Sequence, residues 1–198
     1  MASSELSKRR NWQTAGGANA GKAEKMFYQV FSQAFEGTDF RIRSKPREFK
    51  NIYSKVVLHE TVQEQIYSPD RTWVHGVVPD YAIDNITTKK TLYVEVKRQD
   101  GWVEGKLASA GRGNAHERSC KFFTPGLMAM LRKLGGIREP ALPFWVVLQG
   151  DIARDPKRVR EVTFWYDQHH AHFFMWSDST NAKSLLGHFD RHLKHLLL

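Results

Sequence analysis

Two carboxylates and an amine fall within one short stretch of this chain: Asp80 directly after Pro79, then Glu95 and Lys97 on either side of Val96. From Thr91 to Lys97, a strand period of two puts Leu92, Val94 and Val96 on one face and Tyr93, Glu95 and Lys97 on the other. Glu95 and Lys97 therefore point the same way. Val77 to Ile83 reads as a preceding strand, and Asp84-Asn85-Ile86-Thr87-Thr88 as a polar turn that lets the two segments pair antiparallel and brings Asp80 beside Glu95. Such a pair suits Mg²⁺, a hard cation that prefers oxygen donors, keeps several waters and needs only one or two carboxylates besides a substrate phosphate. The chemistry would be metal-dependent phosphodiester cleavage, in which the ion lowers the pKa of a water and offsets charge developing on the phosphate. Lys97 is expected to position that water, because a general base would need a depressed pKa and two nearby carboxylates oppose one. Taken alone, Pro-Asp followed by Glu-x-Lys is short and built of common residues. A solvated hairpin with surface ion pairs would carry the same pattern.

The elements that must position these groups are legible in outline. Met26, Phe27, Val30, Phe31 and Ala34 recur at helical spacing and predict an amphipathic core helix from Ala23 to Phe35. Thr124-Pro125 reads as an N-cap followed by proline at the first helical position; Leu127, Met130, Leu131 and Leu134 form the apolar face and Gly135-Gly136 the stop. Phe144 to Leu148 is a continuous apolar run, the pattern of a central strand covered on both sides. Glu161 to Tyr166 and Phe173 to Trp176 read as two further strands, and Ala182, Leu185, Leu186, Phe189, Leu193 and Leu196 as the stripe of a closing helix. The expected class is α/β, a mixed central sheet flanked by helices on both sides.

Composition narrows the partner. In 198 residues, Lys and Arg number 30 against 21 Asp and Glu, giving net +9 and favouring a polyanion such as nucleic acid. No apolar run approaches a spanning helix and the N-terminus lacks a signal-peptide core, so a cytoplasmic protein without a membrane partner is expected. One cysteine, Cys120, excludes an internal disulfide and a thiolate metal site. Residues 1–22, polar and basic at Lys8-Arg9-Arg10, read as a mobile arm, and 23–198 as a single domain. Gly16 to Lys22 has phosphate-loop spacing, but Ala23 stands where a hydroxyl should meet Mg²⁺ and no strand precedes it, so ATP binding is rejected. His169, His170 and His172 are read as solvated imidazoles in a polar loop and not as a metal site.

Between Ser109 and Lys121, glycines alternate with groups that suit base edges: asparagine pairs bidentately with adenine and arginine with guanine. Gly113-Asn114-Ala115-x-Glu117-Arg118-Ser119 resembles the recognition signature of the EcoRI/MunI group of Type II restriction endonucleases. The stretch from Lys97 to Lys121, with Phe144 to Val147 and Asp155 to Glu161, is similar to the MunI branch of that group. The resemblance runs from about Pro79 to Trp176 and implies a PD-(D/E)xK restriction-endonuclease-like core. It places Asp80, Glu95 and Lys97 on the group's catalytic residues, with Mg²⁺ held by Asp80, Glu95 and Val96. It also implies that Asn114, Ala115 and Arg118 read the inner AATT bases, that Arg112 reads the outer C·G pair, that Gly113 belongs to the same base-recognition segment, and that Glu117 supports the recognition arginine. Lys106, Lys121, Arg154, Lys157 and Arg158 are candidate phosphate contacts. The implied activity is cleavage of double-stranded DNA at CAATTG after the first C, leaving a 5′ AATT overhang. A palindromic site implies a homodimer, and a bacterial host would need a cognate DNA methyltransferase for protection. Two alternatives stay open at this stage: a PD-(D/E)xK nuclease of DNA repair or junction cleavage, and a non-cleaving DNA-binding regulator.

Overall fold

The computed structural model of the chain describes residues 21–67, 73–101, 103–106 and 116–198. The basic arm and the glycine-rich decoy fall almost wholly outside them, as do Arg112, Gly113, Asn114 and Ala115. One five-stranded sheet organises the rest, its strands lying side by side in chain order: β1 (Phe40–Ser44), β2 (Tyr81–Asn85), β3 (Thr91–Arg98), β4 (Phe144–Gln149) and β5 (Phe173–Trp176). The first three strands run antiparallel, while β3–β4 and β4–β5 are parallel, so the sheet is mixed.

Strand alternation divides the apolar residues between two cores. Leu92, Val94 and Val96 of β3 join Phe27 and Phe31 of α1 (21–34) and Leu185 and Phe189 of α5 (Ala182–His192). On the opposite face, Tyr93 meets Leu127 and Leu131 of α3 (Pro125–Gly135) and Val162 and Tyr166 of α4 (Pro156–Tyr166). Phe144 to Leu148 is fully buried because its neighbours β3 and β5 and both helical layers enclose it. The short α2 (Glu60–Gln63) lies outside both cores.

α3 ends as its glycines predict, with Gly136 in the left-handed region at φ 69° and its N–H bonded to Arg132 O. Gly135 serves a different purpose: a Cβ there would sit 2.4 Å from Thr91 O, so only glycine lets this helix approach β3 so closely. The expected face of α3 is narrower than its pattern, since Leu134 is exposed.

Four expectations need correction. Glu161 to Tyr166 is helix, not strand: the Asp155 side chain caps Lys157 N, Pro156 starts the helix, and Val162 and Tyr166 bury one face at a spacing of four. β2 begins only at Tyr81, and Asp84 and Asn85 lie within it, so the turn is shorter than expected; Asn85 Oδ1 accepts from Thr87 N and Thr88 N. Asp84 belongs in the strand because Arg41, Arg43 and Thr91 all donate to its buried carboxylate. His172 is not solvated; its Nδ1 donates to Phe144 O and its Nε2 accepts from Leu142 N.

Candidate active site

β2–β3 pairing stops at Tyr81↔Val94, so the Val96 N–H lies past the end of that ladder and bonds instead to Asp80 Oδ2, at 2.9 Å. This bond fixes the Asp80 carboxylate over β3. Glu95 and Lys97 project from the same face of β3, and Lys97 Nζ bridges the two acids, 2.8 Å from Glu95 Oε1 and 3.1 Å from Asp80 Oδ2. The three residues singled out by spacing thus meet in one cluster. The acids are nearly enclosed, their side chains 7% and 4% exposed, which keeps their charges strong.

Two further residues join from a distance. Lys45 follows β1 and places Nζ 2.6 Å from Asp80 Oδ1 and 3.1 Å from Glu24 Oε2 of α1. Lys121, expected as a phosphate contact, lies 3.6 Å from Glu95 Oε1. Sequence reasoning missed Lys45 and Glu24. The signal for β1 was there in the alternation Phe40-Arg41-Ile42-Arg43-Ser44, but nothing local tied its end to Asp80.

The charges set the protonation states. Burial alone would push the Asp80 carboxyl up, but the ammonium of Lys97, the hydrogen bond and charge of Lys45, and the Val96 N–H hold it below its ordinary value. Burial would lower Lys97, yet the charges of Glu95 and Asp80 outweigh it and raise the amine. Lys97 is therefore an ammonium that donates hydrogen bonds.

The donor set fits a hard divalent cation. Asp80, Glu95 and the Val96 carbonyl offer only oxygen, and Glu95 Oε2 is buried with no hydrogen-bond partner among the described residues. No group of three or more His, Cys, Asp or Glu that could hold a metal occurs among the described residues. That is expected of a two-carboxylate site whose other ligands are water and phosphate.

The recognition segment is described only from its end. Arg118 is exposed on the 3₁₀ turn Glu117–Phe123, beside an exposed Glu117 and a half-buried Cys120. His116 anchors the turn by stacking on Trp165 of α4, with centroids 5.4 Å apart and planes 6° apart. Among the candidate phosphate contacts, Lys106 and Lys157 are exposed, Arg154 donates to Ser177 O, and Arg158 is paired with Glu161.

The family described as "Type II restriction enzyme MunI" matches residues 1–198. The chain belongs to the MunI family of Type II restriction enzymes. A curated MunI family member from Mycoplasma sp. is 53% identical over 201 residues, covering 100% of both chains. The fold agrees as well: a crystal structure of MunI restriction endonuclease in complex with cognate DNA superposes with TM-score 0.82 at 52% identity, covering 95% of this chain and 98% of that one. The mixed sheet is thus a PD-(D/E)xK core, and the β2–β3 pair of this MunI family chain carries its acidic edge. Family membership decides against both the repair or junction nuclease and the non-cleaving regulator.

Proposed function

We propose that the chain acts as a homodimer on double-stranded DNA, using Mg²⁺ to hydrolyse the palindrome CAATTG after its first C and leave a 5′ AATT overhang. The observation that carries this reading is the meeting of Asp80, Glu95 and Lys97 at the end of the β2–β3 pair, in a chain whose solved relative is a complex with cognate DNA. Asp80, Glu95 and the Val96 carbonyl would hold the ion. When bound, it supplies a more acidic water and neutralises charge on the phosphate.

The protein's own groups do the rest. Lys97 stays protonated beside its two acids, so it orients the attacking water and stabilises phosphate oxygen charge while the water's proton leaves to solvent or to phosphate. The Val96 N–H fixes the rotamer of Asp80, which holds the donor oxygens in place before substrate arrives. Arg112 would read the outer C·G pair and Asn114, Ala115 and Arg118 the inner bases, with Gly113 in the same recognition segment and Glu117 supporting Arg118. Lys106, Lys121, Arg154, Lys157 and Arg158 would meet phosphates, setting affinity and its salt dependence and not specificity. A methyltransferase protecting the same hexamer completes the system.

Digestion of a plasmid of known sequence, followed by end-sequencing of the products, tests the proposal. Discrete ends at CAATTG carrying four-base 5′ overhangs, produced only with Mg²⁺, are expected. Cuts at another sequence, or cutting that persists in chelator, would contradict it.

A further inference from the structure

The cluster described above is neutral before any metal arrives: Asp80, Glu95 and Glu24 face Lys97, Lys45 and Lys121. Of these ammoniums, Lys97 is bound to β3 between both acids, and Lys121 reaches only Glu95, at 3.6 Å. Lys45 stands apart. Its Nζ holds the one Asp80 oxygen that neither the Val96 N–H nor Lys97 takes, at 2.6 Å, the shortest charge contact in the cluster.

The backbone under that contact is unusual. Lys45 has φ 48°, the left-handed region that side chains other than glycine and asparagine seldom adopt, and its own N–H donates to Asp80 O at 2.9 Å. The position thus ties the main chain of Asp80 while aiming a half-exposed side chain at its carboxylate, and that double contact, made from a left-handed backbone, holds the ammonium on Asp80. Glu24 supplies a second resting place 3.1 Å from the same nitrogen.

We propose that Lys45 is a built-in counter-cation that occupies Asp80 in the metal-free protein and must give up that carboxylate to a divalent ion, retreating to Glu24. This inference rests on the reading of Asp80 as a metal ligand. Two cations competing for one carboxylate lower each other's apparent affinity, so Lys45 sets the divalent concentration at which the site fills. Glu24 makes the exchange inexpensive, because the displaced ammonium keeps one acidic partner. Lys45 is a positioning residue in this scheme, acting through Asp80.

Mn²⁺ binding to the DNA-free protein, read from the electron paramagnetic resonance of free Mn²⁺, tests the idea without any cleavage assay. Lys45→Gln should bind Mn²⁺ about tenfold more tightly than the unaltered chain, as expected when a unit charge next to the ion is removed. Lys183→Gln, which removes a charge from an exposed position on α5, should leave binding unchanged. Equal or weaker binding by Lys45→Gln overturns the proposal. Asp80→Asn separates the two layers: if it loses Mn²⁺ binding while Lys45→Gln is unaltered, Lys45 alone has been misread, and if it keeps binding, the metal reading of Asp80 fails and the proposal with it. A crystal structure of the unaltered protein with Mn²⁺ gives an answer free of mutation. Lys45 Nζ should then lie on Glu24 and beyond hydrogen-bonding reach of Asp80; a retained 2.6 Å contact beside the bound ion would contradict the exchange.

Discussion

At the scale of single residues, the sharpest consequence concerns Glu95. Its Oε2 is buried and lacks a hydrogen-bond partner among the described residues, while its Oε1 pairs with Lys97, so converting it to an amide removes a charged ligand and weakens a buried ion pair. Glu95→Gln is expected to reduce Mg²⁺-dependent cleavage by about a thousandfold, roughly 4 kcal/mol of barrier, and to lower the melting temperature while the chain stays folded at the assay temperature. Single-turnover cleavage alongside thermal melting checks both halves, and cleavage within tenfold of the unaltered enzyme would remove Glu95 from the mechanism. Asp80, Glu95 and Lys97 were legible because a strand repeats every two residues and all three lie within one hairpin. Lys45 and Glu24 were not: Lys45 reaches Asp80 from 35 residues away and Glu24 reaches Lys45 from 21, and no local pattern encodes a contact made by tertiary folding.

At the scale of elements, two predictions follow from how helix and sheet meet. Gly135→Ala would drive a methyl to within 2.4 Å of Thr91 O, a backbone atom that cannot step aside, and should destabilise the fold by about 1–3 kcal/mol in a urea melt. A variant as stable as the original would show that α3 does not pack on β3 this closely. His172 closes the 3₁₀ turn Asp167–His172 before β5 and ties it to the start of β4 in one tautomer only, with Nδ1 donating to Phe144 O and Nε2 accepting from the Leu142 N–H. Burial, more than its hydrogen bond to Phe144 can offset, lowers its pKa from 6.5 to about 4. The unfolded chain then binds more protons than the native one between those values, so this contribution is whole above about pH 6.5, declines as pH drops from there and is fully lost below about 4. The loss from this group is about 3 kcal/mol. Urea melts at pH 7 and pH 4.5 with an NMR titration of His172 test this; a ring titrating above 6 would contradict it. The misreading of α4 is instructive in the same terms. Val162, Phe164, Trp165 and Tyr166 are good strand formers, yet the Asp155 cap and Pro156 start a helix whose buried residues fall four apart. Phe164 is left 83% exposed, the cost of that tertiary choice.

At the scale of the whole molecule, net +9 charge suits a polyanion, and the family places the chain among enzymes that cut DNA. Class and outline of the sheet were readable from apolar runs and turn residues, and the family from Gly113 to Ser119, but the pairing of β1 at the edge of β2 was not, because β1 is short and half charged. Among the described residues no helix is long and apolar enough to cross a membrane. The proposed function requires a divalent ion held between the acids of the β2–β3 edge. Anomalous diffraction from crystals of the protein with a CAATTG duplex and Mn²⁺ addresses it directly: the strongest peak should lie within coordination distance of Asp80, Glu95 and the Val96 carbonyl, next to a DNA phosphate. A peak held by other residues, with those two carboxylates still paired only to lysines, would contradict the account.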